Sequence, residues 1–272
     1  MDQQARPTAA EIAAYRVDGA VVLRQVFSRD WIDSLGKGVD RNMAEPGPLA
    51  KKYTPDGKPG LFFGDYCNWN RIPEFRAFMT TSPAAQVAGG LMGARKVNLF
   101  HEHVLVKEPG TEEPTPWHHD QPYYFVDGDH ICSLWIPLDP VALETCPRYV
   151  AGSHKWGKWY VPARFADGKD HPNKEEKFES VPDIDAAPEK YRILSWELAP
   201  GDCIAFHGLT VHGAPPNRST NRRRGFAARW TGDDAVFTLR QGYMSPPPPA
   251  TGGPKPGQPM DSEAFPVVWR AA

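Results

Sequence analysis

His118 and Asp120 stand two residues apart in Trp117-His118-His119-Asp120-Gln121-Pro122-Tyr123. On an extended segment, residues i and i+2 share a face, so an imidazole nitrogen and a carboxylate oxygen can meet at one small ion. A histidine from far along the chain would complete one face of an octahedron and leave three positions open. Mixed imidazole and carboxylate ligation suits Fe(II) or Mn(II), whereas a structural zinc site would usually close with cysteines. A His-x-Asp pair recurs by chance, so the second half of the chain decides its weight. There His207 and His212 compete for third ligand, and strand position alone does not choose between them. His212 opens His212-Gly213-Ala214-Pro215-Pro216-Asn217-Arg218-Ser219, which leads into Arg222-Arg223-Arg224. An arginine about ten residues after a histidine falls on the next antiparallel strand, at the depth where a dicarboxylate chelating the metal would end. Arginine suits that role because it stays charged and can grip a carboxylate with two parallel hydrogen bonds.

Other chemically capable residues have plainer readings. His119 lies between the two candidate ligands and points to the opposite face, which fits a structural or solvent-facing role. His101 and His103 share a strand face, where pocket lining or ordinary hydrogen bonding outweighs a second metal site. His154, in Gly152-Ser153-His154-Lys155, reads as turn architecture. The Arg222–Arg224 run, with no interleaved aromatics, reads as a solvated strand start with one inward arginine rather than a nucleic-acid patch. Asn68 and Trp69 sit in a polar and aromatic loop, Gly64–Asn70, that is a candidate cover over a site. Arg148 is a candidate for meeting an anionic substrate, and Tyr123 for the substrate side of the His118 motif.

The elements that must position these residues are punctuated by 29 prolines and 24 glycines in 272 residues, which excludes long helical bundles. Thr8 and Glu11 form a capping box, and the helix they open stops at Gly19. A short strand spans Ala20 to Val26, and Ser28 caps a second helix running to about Met43. Ser82-Pro83 opens a helix from Ala84 that ends at Gly93. From Val97 the apolar runs become short and bounded by Pro, Gly or Asp: Val97–Val106, Ile131–Leu138, Arg148–Val150, Arg192–Leu198, Cys203–Phe206 and Gly225–Thr231. Such spacing is the signature of a β sandwich or barrel. Residues 1–272 read as one domain, with a helical layer at about 8–93 and a β core at about 97–231. Lys155–Lys190 reads as a long surface insertion, and 245–272 as a Pro-rich extension that brings Phe265–Trp269 back over the barrel. With 31 basic against 33 acidic residues the net charge is −2, which disfavours nucleic acid and anionic membrane as partners. Four scattered cysteines, no signal-peptide profile at Met1–Pro7 and no membrane-length apolar run point to a cytoplasmic protein.

The ordered motifs resemble those of the phytanoyl-CoA dioxygenase family of Fe(II)/2-oxoglutarate-dependent oxygenases. The resemblance rests on Trp117-His118-x-Asp120-x-x-Tyr123, then Ser133-x-Trp135, Gly152–Lys155, the Gly201-Asp202 turn, and His212-Gly213-x-x-x-Asn217 with Arg223 eleven residues after the histidine. It covers roughly Thr8 to Thr231. It implies a mainly β fold, a double-stranded β-helix or cupin-like jelly roll of eight antiparallel strands with flanking N-terminal α-helices. It implies His118, Asp120 and His212 as Fe(II) ligands, so that the Asn217 and Arg223 spacing selects His212 over His207. Arg223 would bind 2-oxoglutarate, Ser133 and Trp135 would line the cosubstrate, and His103 would be a further neighbour. With O2, such an enzyme oxidises a small molecule, most often by hydroxylation, with release of succinate and CO2. Family halogenases replace the carboxylate ligand with a small residue, and Asp120 is retained. The chain departs from the family at Glu144–Arg148, where relatives carry a small-residue turn. The rival reading is a metal-binding cupin-like jelly roll without 2-oxoglutarate chemistry, an isomerase or a non-catalytic binder, which would have no need of Arg223. The sequence does not name the substrate.

Overall fold

A computed structural model describes residues 6–172 and 177–271; residues 1–5, at the start of the segment read for targeting, and 173–176 of the insertion lie outside the described residues. The helical layer comprises α1 (Ala9–Asp18), α2 (Arg29–Ala44), α3 (Pro73–Thr81) and α4 (Ala84–Met92). The capping box of α1 forms as expected: Thr8 N donates to Glu11 Oε2 at 2.7 Å, and Glu11 N donates to Thr8 Oγ1 at 3.2 Å. Gly19 ends α1 in the left-handed region, with φ 77°. Ser28 precedes α2, but its hydroxyl makes no capping bond. Helix α3 has no counterpart in the sequence reading, although proline stands at its first turn.

The strands are β1 (Ala20–Leu23), β2 (Lys51–Lys52), β3 (Phe62–Tyr66), β4 (Lys96–Lys107), β5 (Thr115–His118), β6 (Val126–Asp127), β7 (Ile131–Pro137) and β8 (Arg148–Val150). They continue with β9 (Trp159–Tyr160), β10 (Phe178–Glu179), β11 (Ile193–Leu194), β12 (Cys203–His207), β13 (His212–Ala214), β14 (Arg223–Thr231), β15 (Val236–Phe237) and β16 (Val267–Arg270). An eight-stranded sheet runs β1-β12-β7-β14-β4-β3-β2, with β16 also paired to β4. A four-stranded sheet runs β11-β8-β13-β5. Two facing antiparallel sheets with a helical layer behind the larger make the expected jelly roll.

The period of two decides what each sheet face meets. Along β14, Phe226, Ala228 and Trp230 pack with Val104 and Val106 of β4 and with Leu134 and Ile136 of β7 in the core shared with the helices. The alternate residues Arg223, Ala227 and Arg229, with His101, His103 and Trp135, face the interior between the sheets. One face of the larger sheet therefore carries the arginines, His101, His103 and Trp135 toward the smaller sheet. The strand predicted from Arg192 to Leu198 shortens to β11, because its later residues leave the sheet; only an isolated bridge joins Leu198 to Val141.

Asp202 of the Gly-Asp turn ties the N-terminus to the barrel. Its carboxylate accepts from Gln25 N at 3.0 Å, Ala199 N at 3.0 Å and Arg24 Nη1 at 2.8 Å. Burial would raise the Asp202 carboxyl, but these donors hold it below its ordinary value. Asp202→Ala strands two backbone N–H groups and is expected to cost about 2–3 kcal/mol at neutral pH. A carboxyl with a depressed folded pKa contributes stability above its unfolded pKa and loses it as pH falls through the folded value. Urea unfolding of the two proteins should therefore differ most at pH 7 and converge in acid.

Candidate active site

His118 ends β5 and His212 opens β13, and the two are paired across the antiparallel ladder. Asp120 follows at the start of a 3-10 turn formed by Gln121–Tyr123. His118 Nε2 lies 3.5 Å and His212 Nε2 3.8 Å from Asp120 Oδ1. Among the described residues, His118, Asp120 and His212 form the one cluster whose ligand atoms could hold a metal ion, all lying within 4.8 Å of one another.

The backbone fixes which imidazole nitrogen is free. His118 Nδ1 donates to Pro116 O at 2.8 Å, and His212 Nδ1 donates to Thr210 O at 2.9 Å. Each ring therefore turns its Nε2 toward Asp120, and the Nδ1 bond to a backbone carbonyl is the outer contact that orients metal-binding histidines. Burial pushes His212 down to about 3, so it stays neutral. Two imidazole nitrogens and a carboxylate oxygen converging on one point fit a metal cation.

Asp120 has a partner that sequence reasoning missed. Arg229 Nε donates to Asp120 Oδ2 at 3.1 Å, with both side chains 6% exposed, and Ser133 Oγ lies 3.4 Å from the same oxygen. Burial would raise the Asp120 carboxyl, but the Arg229 guanidinium holds it well below the usual carboxylate range. Arg229 is a positioning residue: it occupies Oδ2 and leaves Oδ1 for the ion. Alternation along β14 was the available signal, since the step of two that turns Arg223 inward also turns Arg229 inward.

Arg223 is the first residue of β14, buried, and pushed down to about 10 by burial. It belongs to the larger sheet and faces β13, rather than lying beside it. Its Nη1 donates to Thr145 O, within the segment that departs from the family pattern. Trp135 and His103 line the same interior. Tyr123 lines it too, while its hydroxyl bonds Ala163 O and Ala163 N, each at 2.7 Å.

The remaining candidates sit elsewhere. Asn68 is buried, donates to Tyr66 O at 3.2 Å and accepts from Arg71, and Trp69 packs against the helical core. Both backbone N–H groups donate to the buried carboxylate of Glu102, so this segment is a staple behind β4. Arg148 stacks over Trp117 at 5.0 Å and pairs with Asp185 at 3.4 Å. None of the three lines the cavity. His207 is spent on Asp129 O at 2.8 Å and Leu209 N at 3.0 Å, and His119 accepts from Tyr160 N at 2.8 Å.

The cavity has a volume of about 110 Å³ and opens to solvent. Two buried polar atoms of its wall residues have no hydrogen-bond partner among the described residues: His101 Nδ1 and His103 Nε2. Such groups are costly unless something polar meets them, and with Arg223 they fit a small anionic cosubstrate beside the ion. The predicted surface insertion contributes Ala163, Phe165 and His171 to this wall, and the C-terminal region contributes Tyr243 and Ser245.

Two imidazoles and one carboxylate on one face, inside a jelly roll with an arginine on the facing sheet, define the architecture of the mononuclear non-heme metal oxygenases. The chain belongs to the phytanoyl-CoA dioxygenase family, whose model, described as phytanoyl-CoA dioxygenase (PhyH), matches residues 15–225. A Caenorhabditis elegans protein named probable phytanoyl-CoA dioxygenase is 27% identical over 155 residues, 54% of this chain and 47% of that protein. The chain spans about half the length of the curated relatives it matches, 47% of this one and 57% of an Arabidopsis thaliana phytanoyl-CoA dioxygenase. Among solved structures, the alpha ketoglutarate dependent carbocyclase SnoK from nogalamycin biosynthesis superposes with a TM-score of 0.74 at 21% identity, covering 98% of this chain and 99% of that one. The epimerase SnoN in complex with Fe3+, alpha ketoglutarate and nogalamycin RO gives 0.75 at 21% identity, covering 96% and 98%. These two likenesses establish the fold.

Proposed function

We propose that the protein is an Fe(II)- and 2-oxoglutarate-dependent dioxygenase that hydroxylates a small organic metabolite. In that reaction substrate C–H, O2 and 2-oxoglutarate become C–OH, succinate and CO2. The observation that carries the reading is the convergence of two Nδ1-anchored histidines and an arginine-held aspartate on one point between the two sheets. Iron, when bound there with 2-oxoglutarate and O2, supplies the two-electron oxidation. His118, Asp120 and His212 would hold it. The chain's own work is geometry: β5 and β13 fix two ligands through backbone carbonyls, Arg229 and Ser133 fix the third, and Arg223 offers a buried charge to the distal carboxylate of the cosubstrate. The wall from Trp135, Tyr149 and Phe206 excludes water from the oxidant. Retention of Asp120 favours oxygenation over halogenation. Free thiols at all four cysteines suit the reducing cytoplasm. No helix of the described residues is long and apolar enough to cross a membrane.

Anaerobic calorimetry with Fe(II) and 2-oxoglutarate tests the reading. The wild-type protein is expected to bind the cosubstrate with micromolar affinity, and Arg223→Ala to weaken it by about 100-fold, the scale of a buried charge-assisted pair. A cupin-like binder without this chemistry would bind no 2-oxoglutarate and be indifferent to Arg223. Succinate release across a metabolite library, with the product resolved by mass spectrometry, then separates hydroxylation from desaturation, epimerisation or ring closure.

A further inference from the structure

Beyond the metal ligands and Arg223, the cavity continues outward into a mouth assembled from three separate parts of the chain. The β2–β3 region brings Lys51, Tyr53 and Tyr66, the insertion brings Phe165 and His171, and the C-terminal region brings Tyr243. The rings pack edge and face along one opening. Phe165 lies 4.9 Å from the His118 ring and 5.7 Å from Tyr53, and Tyr243 stacks flat on His171 at 3.6 Å. Ser245 Oγ donates to Tyr66 Oη at 3.1 Å, holding the C-terminal segment against the opening.

The charges of this wall are one-sided. Asp120 is the sole carboxylate among the described lining residues, and Arg229 already neutralises it. Lys51 has no carboxylate partner among the described residues. Its Nζ donates to Tyr243 Oη at 3.3 Å and lies 5.9 Å from that ring's centroid. An aromatic mouth by itself would also suit a cation. An ammonium at the rim and the lack of a free carboxylate oppose that and favour negative charge.

We propose that the substrate is a flat, largely apolar molecule bearing an anionic oxygen, a carboxylate or ionised phenol. Lys51 takes the charge at the rim, and the ring system lies among Tyr53, Tyr66, Phe165 and Tyr243 with its far edge toward the ion. The inference rests on the dioxygenase reading for the identity of the inner end. It assigns a specificity role to Lys51 and to Phe165 and His171 of the insertion.

Three naphthalene probes of one shape and different charge test it: 2-naphthoate, 2-naphthylmethanol and 2-naphthylmethylamine. Each is titrated by fluorescence into the Mn(II)-loaded protein, with and without saturating N-oxalylglycine, a 2-oxoglutarate mimic that blocks the inner carboxylate site and turnover. The anion is expected to bind about tenfold tighter than the alcohol and the amine weakest. Lys51→Met should erase the anion's advantage while leaving the alcohol within about twofold, Lys51→Arg should restore it, and Tyr243→Ala should weaken all three. Equal affinity for anion and alcohol, preference for the amine, no binding of any probe, or an equal loss of both in Lys51→Met overturns the proposal. If N-oxalylglycine fails to bind while Lys51-dependent capture of 2-naphthoate persists, the dioxygenase reading falls and the anion site stands. If N-oxalylglycine binds and the probes show no charge preference, the reverse holds.

Discussion

Asp120→Ala is expected to bring succinate release down to the level of a no-enzyme control and to abolish Fe(II) binding in the same step. Two imidazoles remain, but the negative oxygen that sets their separation is gone, and a two-ligand site does not outcompete buffer for Fe(II). The loss extends beyond chemistry. Arg229 is then a buried cation whose ion pair has been removed, and breaking such a pair from one side costs about 3–5 kcal/mol. For a chain of 272 residues that corresponds to a fall in melting temperature of roughly 10 °C. Metal analysis of the purified variant and a thermal melt measure the two effects separately. A variant that melts like the wild type would show that Arg229 does not depend on Asp120.

The second large effect is expected at Arg229→Met, which keeps the side chain's bulk and removes its charge. Asp120 then faces the interior without its guanidinium, keeping the Ser133 hydroxyl at 3.4 Å from Oδ2. The metal-free protein should again lose about 3–5 kcal/mol, and metal affinity should drop about 10–100-fold, the usual consequence of removing a group that orients a ligand. The double variant Asp120→Ala/Arg229→Met provides the decisive comparison. It removes both charges and should be more stable than either single variant, giving a strongly non-additive cycle. Simple additivity in urea unfolding would mean the pair contributes nothing as a pair.

The cluster of His118, Asp120 and His212 was legible in the sequence because each sits in a motif whose spacing carries chemistry, and because a strand's period of two is strict. The same strictness put His101 and His103 on one face of β4, the face that lines the cavity. What escaped was set by tertiary context. Strand β3 reads as a loop because Gly64 and Asp65 interrupt its apolar pattern, yet all five of its residues are buried. Asp65 is satisfied there, accepting from Asn42 Nδ2 and Gly47 N, each at 2.7 Å, which no local pattern announces. Asn68 and Trp69 looked like a site cover from composition; the buried carboxylate of Glu102 makes them a staple instead. The insertion looked solvated because it is rich in charge and proline, but Phe165 and His171 turn inward from it. Residues that act by where a long connection folds back leave little local trace.

The pairing of His118 with His212 also has a consequence for the order in which the molecule comes into being. The two ligands are adjacent across a ladder yet 94 positions apart in the chain, β1 pairs with β12, and β4 receives β16 from the last residues described. Contacts of such long sequence separation form slowly, because the loop between them must close before any pairing rewards it. During synthesis the emerging chain can offer an ion at most His118 and Asp120, and Asp120 waits for Arg229. An ion that needs all three side chains would therefore find its site only once the barrel has closed around it.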